Sequence, residues 1–67
     1  MDWFLLYTTR NYAEASIIKG RLEENSIEVV LLNKQSSTYI NLGEIELYVP
    51  VHLKDIARHL MDNALMN

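Results

Sequence analysis

Residues 11–32, NYAEASIIKGRLEENSIEVVLL, predict a capped α-helix, a tight turn and an apolar β-strand in direct succession. Asn11 can accept a hydrogen bond from an amide of the first helical turn, and Glu14 can return one to the cap. The predicted helix covers residues 12–25. Its core-facing stripe consists of apolar residues at i, i+3 and i+7, namely Ala15, Ile18 and Leu22.

The segment that follows the helix, residues 27–32, is rich in β-branched residues and is predicted to form the second strand. Asn25 is expected to end the helix in the left-handed conformation. Alternation then divides the strand into two sets of side chains: Ile27, Val29 and Leu31 on one face, and Glu28, Val30 and Leu32 on the other. Since most of these side chains are apolar, we expect both faces to be covered over part of the strand.

Residues 3–8, WFLLYT, form a short aromatic and apolar segment that predicts the first strand. Alternation places its side chains in two sets: Trp3, Leu5 and Tyr7 on one face, and Phe4, Leu6 and Thr8 on the other. Both sets are largely apolar, which is typical of a strand that is covered on both sides.

The third strand, residues 44–49, has the clearest alternation in the chain. Ile45, Leu47 and Val49 are predicted to face the core, and Glu44, Glu46 and Tyr48 to face away. Pro50 lacks an amide donor and should stop the strand. A final helix over residues 51–65 is expected to bury an apolar stripe, namely Leu53, Ile56, Ala57, Leu60 and Ala64.

The connection at residues 33–43 is longer than a usual hairpin loop and is rich in polar residues. Its composition predicts the most mobile segment of the chain and a possible binding loop. Three larger side chains lie within it, namely Tyr39, Ile40 and Leu42.

These elements predict one α+β domain, residues 1–67, with β-α-β-β-α order. We expect a mixed or antiparallel three-stranded sheet of order 1-3-2, with both helices on one face. This is a ferredoxin-like fold that lacks the last strand. One sheet face and the outer edge of the first strand would then stay open, which is typical of a partner surface. We therefore predict a homodimer or a protein partner, with interface residues Trp3, Phe4, Leu5, Leu6, Tyr7 and Tyr48.

Composition excludes several classes of protein. The 67 residues contain no cysteine, so disulfides, thiolate metal sites and cysteine nucleophiles are excluded. The net charge is −3 and the six basic residues are scattered, which argues against nucleic-acid binding. The apolar segment at the N-terminus is short and lacks a positive region, so we expect neither a secretory signal nor a membrane span. The expectation is a cytoplasmic protein.

The alternative hypothesis is a module that binds a small ligand or a divalent metal ion on the face of the second helix. His52, Asp55 and His59 share one face of the last helix within about one turn, and two imidazoles with a carboxylate can hold a divalent ion. The simpler interpretation is a solvated helix face, because the sequence shows neither a fourth ligand nor a zincin-type motif.

The residues do not predict an enzyme. Glu44 and Glu46 share a strand face as acid–base chemistry would require, but an exposed face explains them equally. The chain has no G-x-S-x-G, G-x-G-x-x-G or Walker motif, so we predict no catalytic residues and no cofactor. A small anion would most plausibly bind the first helix N-terminus, near Thr9, Arg10 and Asn11.

A second stripe on the first helix combines small residues with an isoleucine, namely Ala13, Ile17 and Gly20. A mid-helix glycine costs about 1 kcal/mol relative to alanine. We therefore expect a close contact at Gly20 to offset that cost, most simply with the other helix.

With its elements placed, the chain resembles a family of small domains described as putative prokaryotic signal-transducing proteins. The similar segments are YT at 7–8, EA at 14–15, KGRLE at 19–23, the strand from Ile27, and Gly43 with LYVP at 47–50. Asn25 and Ser26 stand where such domains often have a glycine turn. The resemblance implies a bacterial, PII-like, half-ferredoxin-like signalling domain, and it supplies no catalytic residues.

Overall fold

The computed structural model describes residues 2–35 and 43–66. In that part of the chain the elements follow the predicted β-α-β-β-α order. They are β1 (Trp3–Thr9), α1 (Tyr12–Glu24), β2 (Val30–Asn33), β3 (Ile45–Pro50), a 3₁₀ turn (Val51–Leu53) and α2 (Lys54–Leu65).

The three strands form one sheet in the order β1-β3-β2, which confirms the predicted order. Both pairs of neighbouring strands are antiparallel, so the sheet is antiparallel rather than mixed. Within β1 the register shifts between Leu5, which lies opposite Tyr48, and Tyr7, which lies opposite Leu47. Leu6 is therefore an additional residue in a β-bulge, which reorients the side chains that follow it.

Both helices cover the same face of the sheet. Ile45, Leu47 and Val49 of the central strand are fully buried, as their alternation predicted. They share one core with residues from both helices, namely Ala15, Ile18, Leu22, Ala57 and Met61. The predicted stripe of α1 is confirmed, since its three members have no exposed surface. The result is a two-layer α+β domain.

The first turn of α1 contains the predicted N-cap but not the predicted capping box. The Glu14 amide donates to Oδ1 of Asn11 at 3.2 Å. The Glu14 carboxylate does not return to the cap, because its Oε1 accepts a hydrogen bond from the Tyr7 hydroxyl at 3.2 Å. The Asn11 amide donates instead to Oγ1 of Thr9 at 3.0 Å. Glu14 thus links α1 to β1.

The end of α1 is a Schellman motif, and it corrects two predictions. The amides of Ser26 and Ile27 donate to the carbonyls of Glu23 and Leu22, each at 3.0 Å. Ser26, with φ of 62°, takes the left-handed conformation that the sequence assigned to Asn25. Asn25 instead donates from its side chain to the Arg21 carbonyl at 2.9 Å.

The second strand begins three residues later than predicted and extends to Asn33. Ile27 cannot begin the sheet ladder, because its amide is used to close the helix. Ile27 and Val29 are nevertheless buried, at 4% and 8% exposure. Their apolar character therefore reflects core packing of an irregular segment, and not the pleat of a strand.

The apolar stripe of α2 differs from the prediction at two positions. Ala57 and Met61, four residues apart, form its buried line, and Leu53 and Leu60 pack partly against the core. Ile56 is 54% exposed, so its predicted burial is wrong. Met61 was missed, although its spacing from Ala57 fits a helical stripe.

Candidate functional site

The open face of the sheet is the side that points away from the helices. Because side chains alternate along a strand, Glu46 and Tyr48 project opposite to the buried residues of β3. Residues in register with them share their face: Leu5 and Val30 flank Tyr48, and Leu32 lies opposite Glu46. Trp3 joins them at the end of β1, opposite Pro50.

This open face is apolar and accessible. Trp3, Leu5 and Leu32 are 40%, 43% and 44% exposed. Trp3, Val30, Leu32 and Tyr48 line a shallow depression of about 200 Å³. A depression of this volume can accept one or two large apolar side chains of another molecule.

The predicted interface residues divide between the two faces. Trp3, Leu5 and Tyr48 lie on the open face, whereas Phe4, Leu6 and Tyr7 pack on the helix side as core or near-core residues. The bulge is the reason, because it turns Leu6 and Tyr7 to the same side and breaks the predicted grouping of Tyr7 with Trp3 and Leu5. Sequence reasoning also missed Val30 and Leu32 as members of the open face.

Phe4 and Tyr7 make contacts on the helix side of the sheet, so their side chains are not available on the open face. The Phe4 ring lies beneath two cations of α2, with its centroid 5.7 Å from Lys54 Nζ and 5.6 Å from the Arg58 guanidinium carbon. Tyr7 donates its hydroxyl to Glu14. Burial and this hydrogen bond to a carboxylate raise the pKa of the Tyr7 hydroxyl above its usual value.

A small polar cluster borders the apolar part of the open face. Tyr48 donates its hydroxyl to Oε1 of Glu46 at 2.8 Å, and Lys34 Nζ lies 3.1 Å from the same oxygen. The Tyr48 hydroxyl, followed by Lys34, lowers the pKa of the Glu46 carboxyl. The same hydrogen bond raises the pKa of Tyr48. Glu46 therefore stays ionised at neutral pH, which suits an ion pair better than a general acid.

The structure does not assemble the predicted metal site. His52 lies in the 3₁₀ turn, while Asp55 and His59 lie on α2. Asp55 is 3.6 Å from Lys54 Nζ, and Nε2 of His59 is 3.4 Å from the Asn63 amide nitrogen. Within residues 2–35 and 43–66, no three His, Asp or Glu side chains are grouped so that they could hold an ion.

The region suggested for a small anion is occupied by the chain itself. The side chains of Thr9 and Asn11 accept backbone hydrogen bonds, as described above. The Arg10 carbonyl accepts from the side-chain amide of Gln35 at 2.8 Å. This last contact ties the end of β2 to the turn before α1, so these polar groups have structural partners.

The stripe with Gly20 borders an open groove between the two helices, not a tight contact. Ile17 and Gly20 line this groove together with Arg21, Asn63 and Ala64. Ile17 is 61% exposed, and a Cβ added at Gly20 would meet no atom within 4 Å. The expected helix contact at Gly20 is therefore absent.

The predicted loop residues, Tyr39, Ile40 and Leu42, lie outside the described part of the chain. Among the residues that are described, neither helix has the length and apolar character needed to cross a membrane.

Fold and surface together define a small two-layer α+β domain with one apolar sheet face left open. The comparison with protein families assigns it further: residues 3–64 match the family described as putative prokaryotic signal transducing protein. The chain belongs to this family, as the resemblance of its short segments indicated. No curated protein and no solved structure gives a significant match.

Proposed function

We propose that this chain is a non-enzymatic signal-transduction module that acts by binding protein through the open face of its sheet. The observation that carries the proposal is the exposure of Trp3, Leu5 and Leu32 on one continuous strand surface. Small monomeric domains rarely leave contiguous apolar patches uncovered unless these bind something.

The family description supports a signalling role, and the polar cluster supports binding over catalysis. Oε1 of Glu46 accepts from the Tyr48 hydroxyl at 2.8 Å and lies 3.1 Å from Lys34 Nζ, so this carboxylate already has two partners within the chain. We expect self-association as one mode of binding, because the exposed apolar surface can be buried against the same surface of a second copy. The open face and the strand edges are the two parts of the sheet at which a second copy could bind.

Analytical ultracentrifugation over micromolar to millimolar concentrations tests the proposal. We expect the wild-type chain to associate reversibly and Leu5→Lys to remain monomeric, because the substitution places a charge in the apolar patch. Ile56→Lys is the matched control, since Ile56 is similarly exposed but lies on α2. A wild-type chain that stays monomeric throughout, or equal loss in both variants, would contradict self-association through this face.

A further inference from the structure

We infer that the occupant of the open face is a second copy of this chain, packed sheet against sheet, with the Lys34–Glu46 pairs of the two copies adjacent at one end of the interface. This inference rests on the proposed function and deepens it. It names the partner, distinguishes the face from the edges, and assigns a role to the one polar cluster on this surface.

The outer edge of β1 is poorly suited to pair with another strand. The Asp2 carbonyl accepts from the Val51 amide at 3.1 Å, so alternation turns the backbone groups of Trp3 and Leu5 outward. Beyond the bulge at Leu6, the next outward residue is Thr8 and not Tyr7, because Tyr7 lies opposite Leu47 in the ladder. An added strand could not follow this broken spacing in one register.

The outer edge of β2 is even less suited than that of β1 to pair with another strand. It is only four residues long, Val30–Asn33. Short edge strands are one of the ways in which natural sheets avoid edge-to-edge pairing. The face is therefore the better surface for a second copy.

Charge on the open face also favours a second copy. The three strands contain one charged residue, Glu46, and Lys34 neutralises it from the position directly after β2. The net charge of −3 is therefore carried by the rest of the chain. Two copies that meet at the uncharged end of this face, around Trp3, Leu5 and Tyr48, therefore bring no like charges together.

The arrangement of residues along the strands indicates how two copies align. One end of the face is apolar, with Trp3, Leu5, Val30 and Tyr48. At the other end Glu46 lies between Thr8 and Leu32, and Lys34 follows β2 there. A two-fold axis parallel to the strands places the apolar end of one copy on the apolar end of the other. The Lys34–Glu46 ion pairs of the two copies then lie next to each other. No carboxylate is then buried against apolar surface, which would be costly. Lys34, with its side chain 58% exposed, can reach either Glu46.

The size of the face sets the expected strength of the dimer. Three strands about 4.8 Å apart and about 20 Å long present a footprint of about 300 Å². Stable complexes usually bury about 800 Å² on each partner. We therefore expect a weak dimer that exchanges rapidly.

Charge reversal tests the inference with the full chain in sedimentation velocity. Lys34→Glu and Glu46→Lys, each alone, should weaken self-association by at least about tenfold, because each places like charges on both sides of the interface. An equimolar mixture of the two variants should recover association as a heterodimer. The double variant, which restores an ion pair in reversed polarity, should recover the homodimer. Circular dichroism melts check that each variant is folded.

Thr8→Pro distinguishes the face from the edge. Lys34 donates its amide to the Glu44 carbonyl, so Glu44 and Glu46 direct their backbone groups toward β2, and Thr8, opposite Glu46, directs its amide outward. Proline at this position removes the edge donor, and it also replaces a side chain that lies on the open face beside Glu46. Thr8→Ala keeps the amide and is the matched control for that side chain. A face-to-face dimer should have the same affinity in both variants.

The outcomes separate this inference from the proposal on which it rests. Association that survives both charge reversals but is lost in Leu5→Lys would overturn the alignment and leave the binding face intact. Failure of the mixture and of the double variant to recover would overturn it as well. Loss of association in Thr8→Pro but not in Thr8→Ala would assign the dimer to the edge. A wild-type chain that is monomeric at every concentration would overturn the homodimer both in this inference and in the proposed function.

Discussion

The two faces of this sheet differ far more in burial than in composition. On the helix side, Ile45, Leu47 and Val49 have no exposed surface, whereas on the open face Leu5 and Leu32 keep more than two fifths of theirs. Both sets are apolar. The difference arises because both helices of the described part of the chain, α1 and α2, pack on the same side of the sheet. Apolar side chains on both faces of a strand therefore predict that both faces are covered, and only the tertiary packing shows which face the helices cover.

The largest expected effect is on the buried face. Leu47→Ala should lower the free energy of unfolding by about 2–5 kcal/mol, because it leaves a cavity beneath both helices. Leu32→Ala on the open face should cost less than about 1 kcal/mol in the monomer, since its side chain is already 44% exposed. Urea unfolding in dilute solution measures both. Equal losses would mean that the open face is covered within the monomer.

The next effect concerns Gly43, whose backbone lies against that of Lys34 at the border of the open face. Gly43 has a φ of +86°, and an added Cβ would collide with the Lys34 carbonyl oxygen. Gly43→Ala should therefore destabilise the fold by about 1–3 kcal/mol. It should also weaken self-association, because the approach of Lys34 to Glu46 is disturbed.

Gly20→Ala is the matched control for Gly43→Ala. Nothing lies within 4 Å of an added Cβ at Gly20, and its backbone is helical. This substitution should raise the free energy of unfolding by about 0.5–1 kcal/mol. Thermal melts compare the two variants, and a loss of stability in Gly20→Ala would show that the groove between the helices is closed in solution.

The smallest effect is the pH dependence of the open face. The pKa of Glu46 is lowered from 4.5 in the folded chain, by Tyr48 first and Lys34 second. Its contribution to stability is therefore present above pH 4.5 and is lost as the pH falls through the lower, folded value. Glu46→Gln should make unfolding free energy less sensitive to acid in that range, as measured by urea titrations. The control is Glu28→Gln, an exposed carboxylate outside the sheet.

Local patterns in the sequence predicted α1 well. Its cap at Asn11 and its buried stripe depend on hydrogen bonds and side-chain spacings within a few residues, so they can be recognised without the fold. The alternation in β3 was equally informative, because this central strand has a partner on each side and one face covered by helices. The candidate site was predicted only in part: Trp3, Leu5 and Tyr48 are on the open face, and Phe4, Leu6 and Tyr7 are not.

The sequence by itself determined the order of the elements, the apolar character of both sheet faces, and the absence of cysteine chemistry. The tertiary structure alone decided three features. A bulge at Leu6 turned Tyr7 to the helix side, a Schellman motif at Ser26 delayed β2 to Val30, and Val30 and Leu32 joined the open face. Each of these depends on contacts between residues that are distant in sequence or on backbone hydrogen bonds that compete for the same amide. Alternation along a single strand carries no information about long-range contacts or about which hydrogen bond an amide makes.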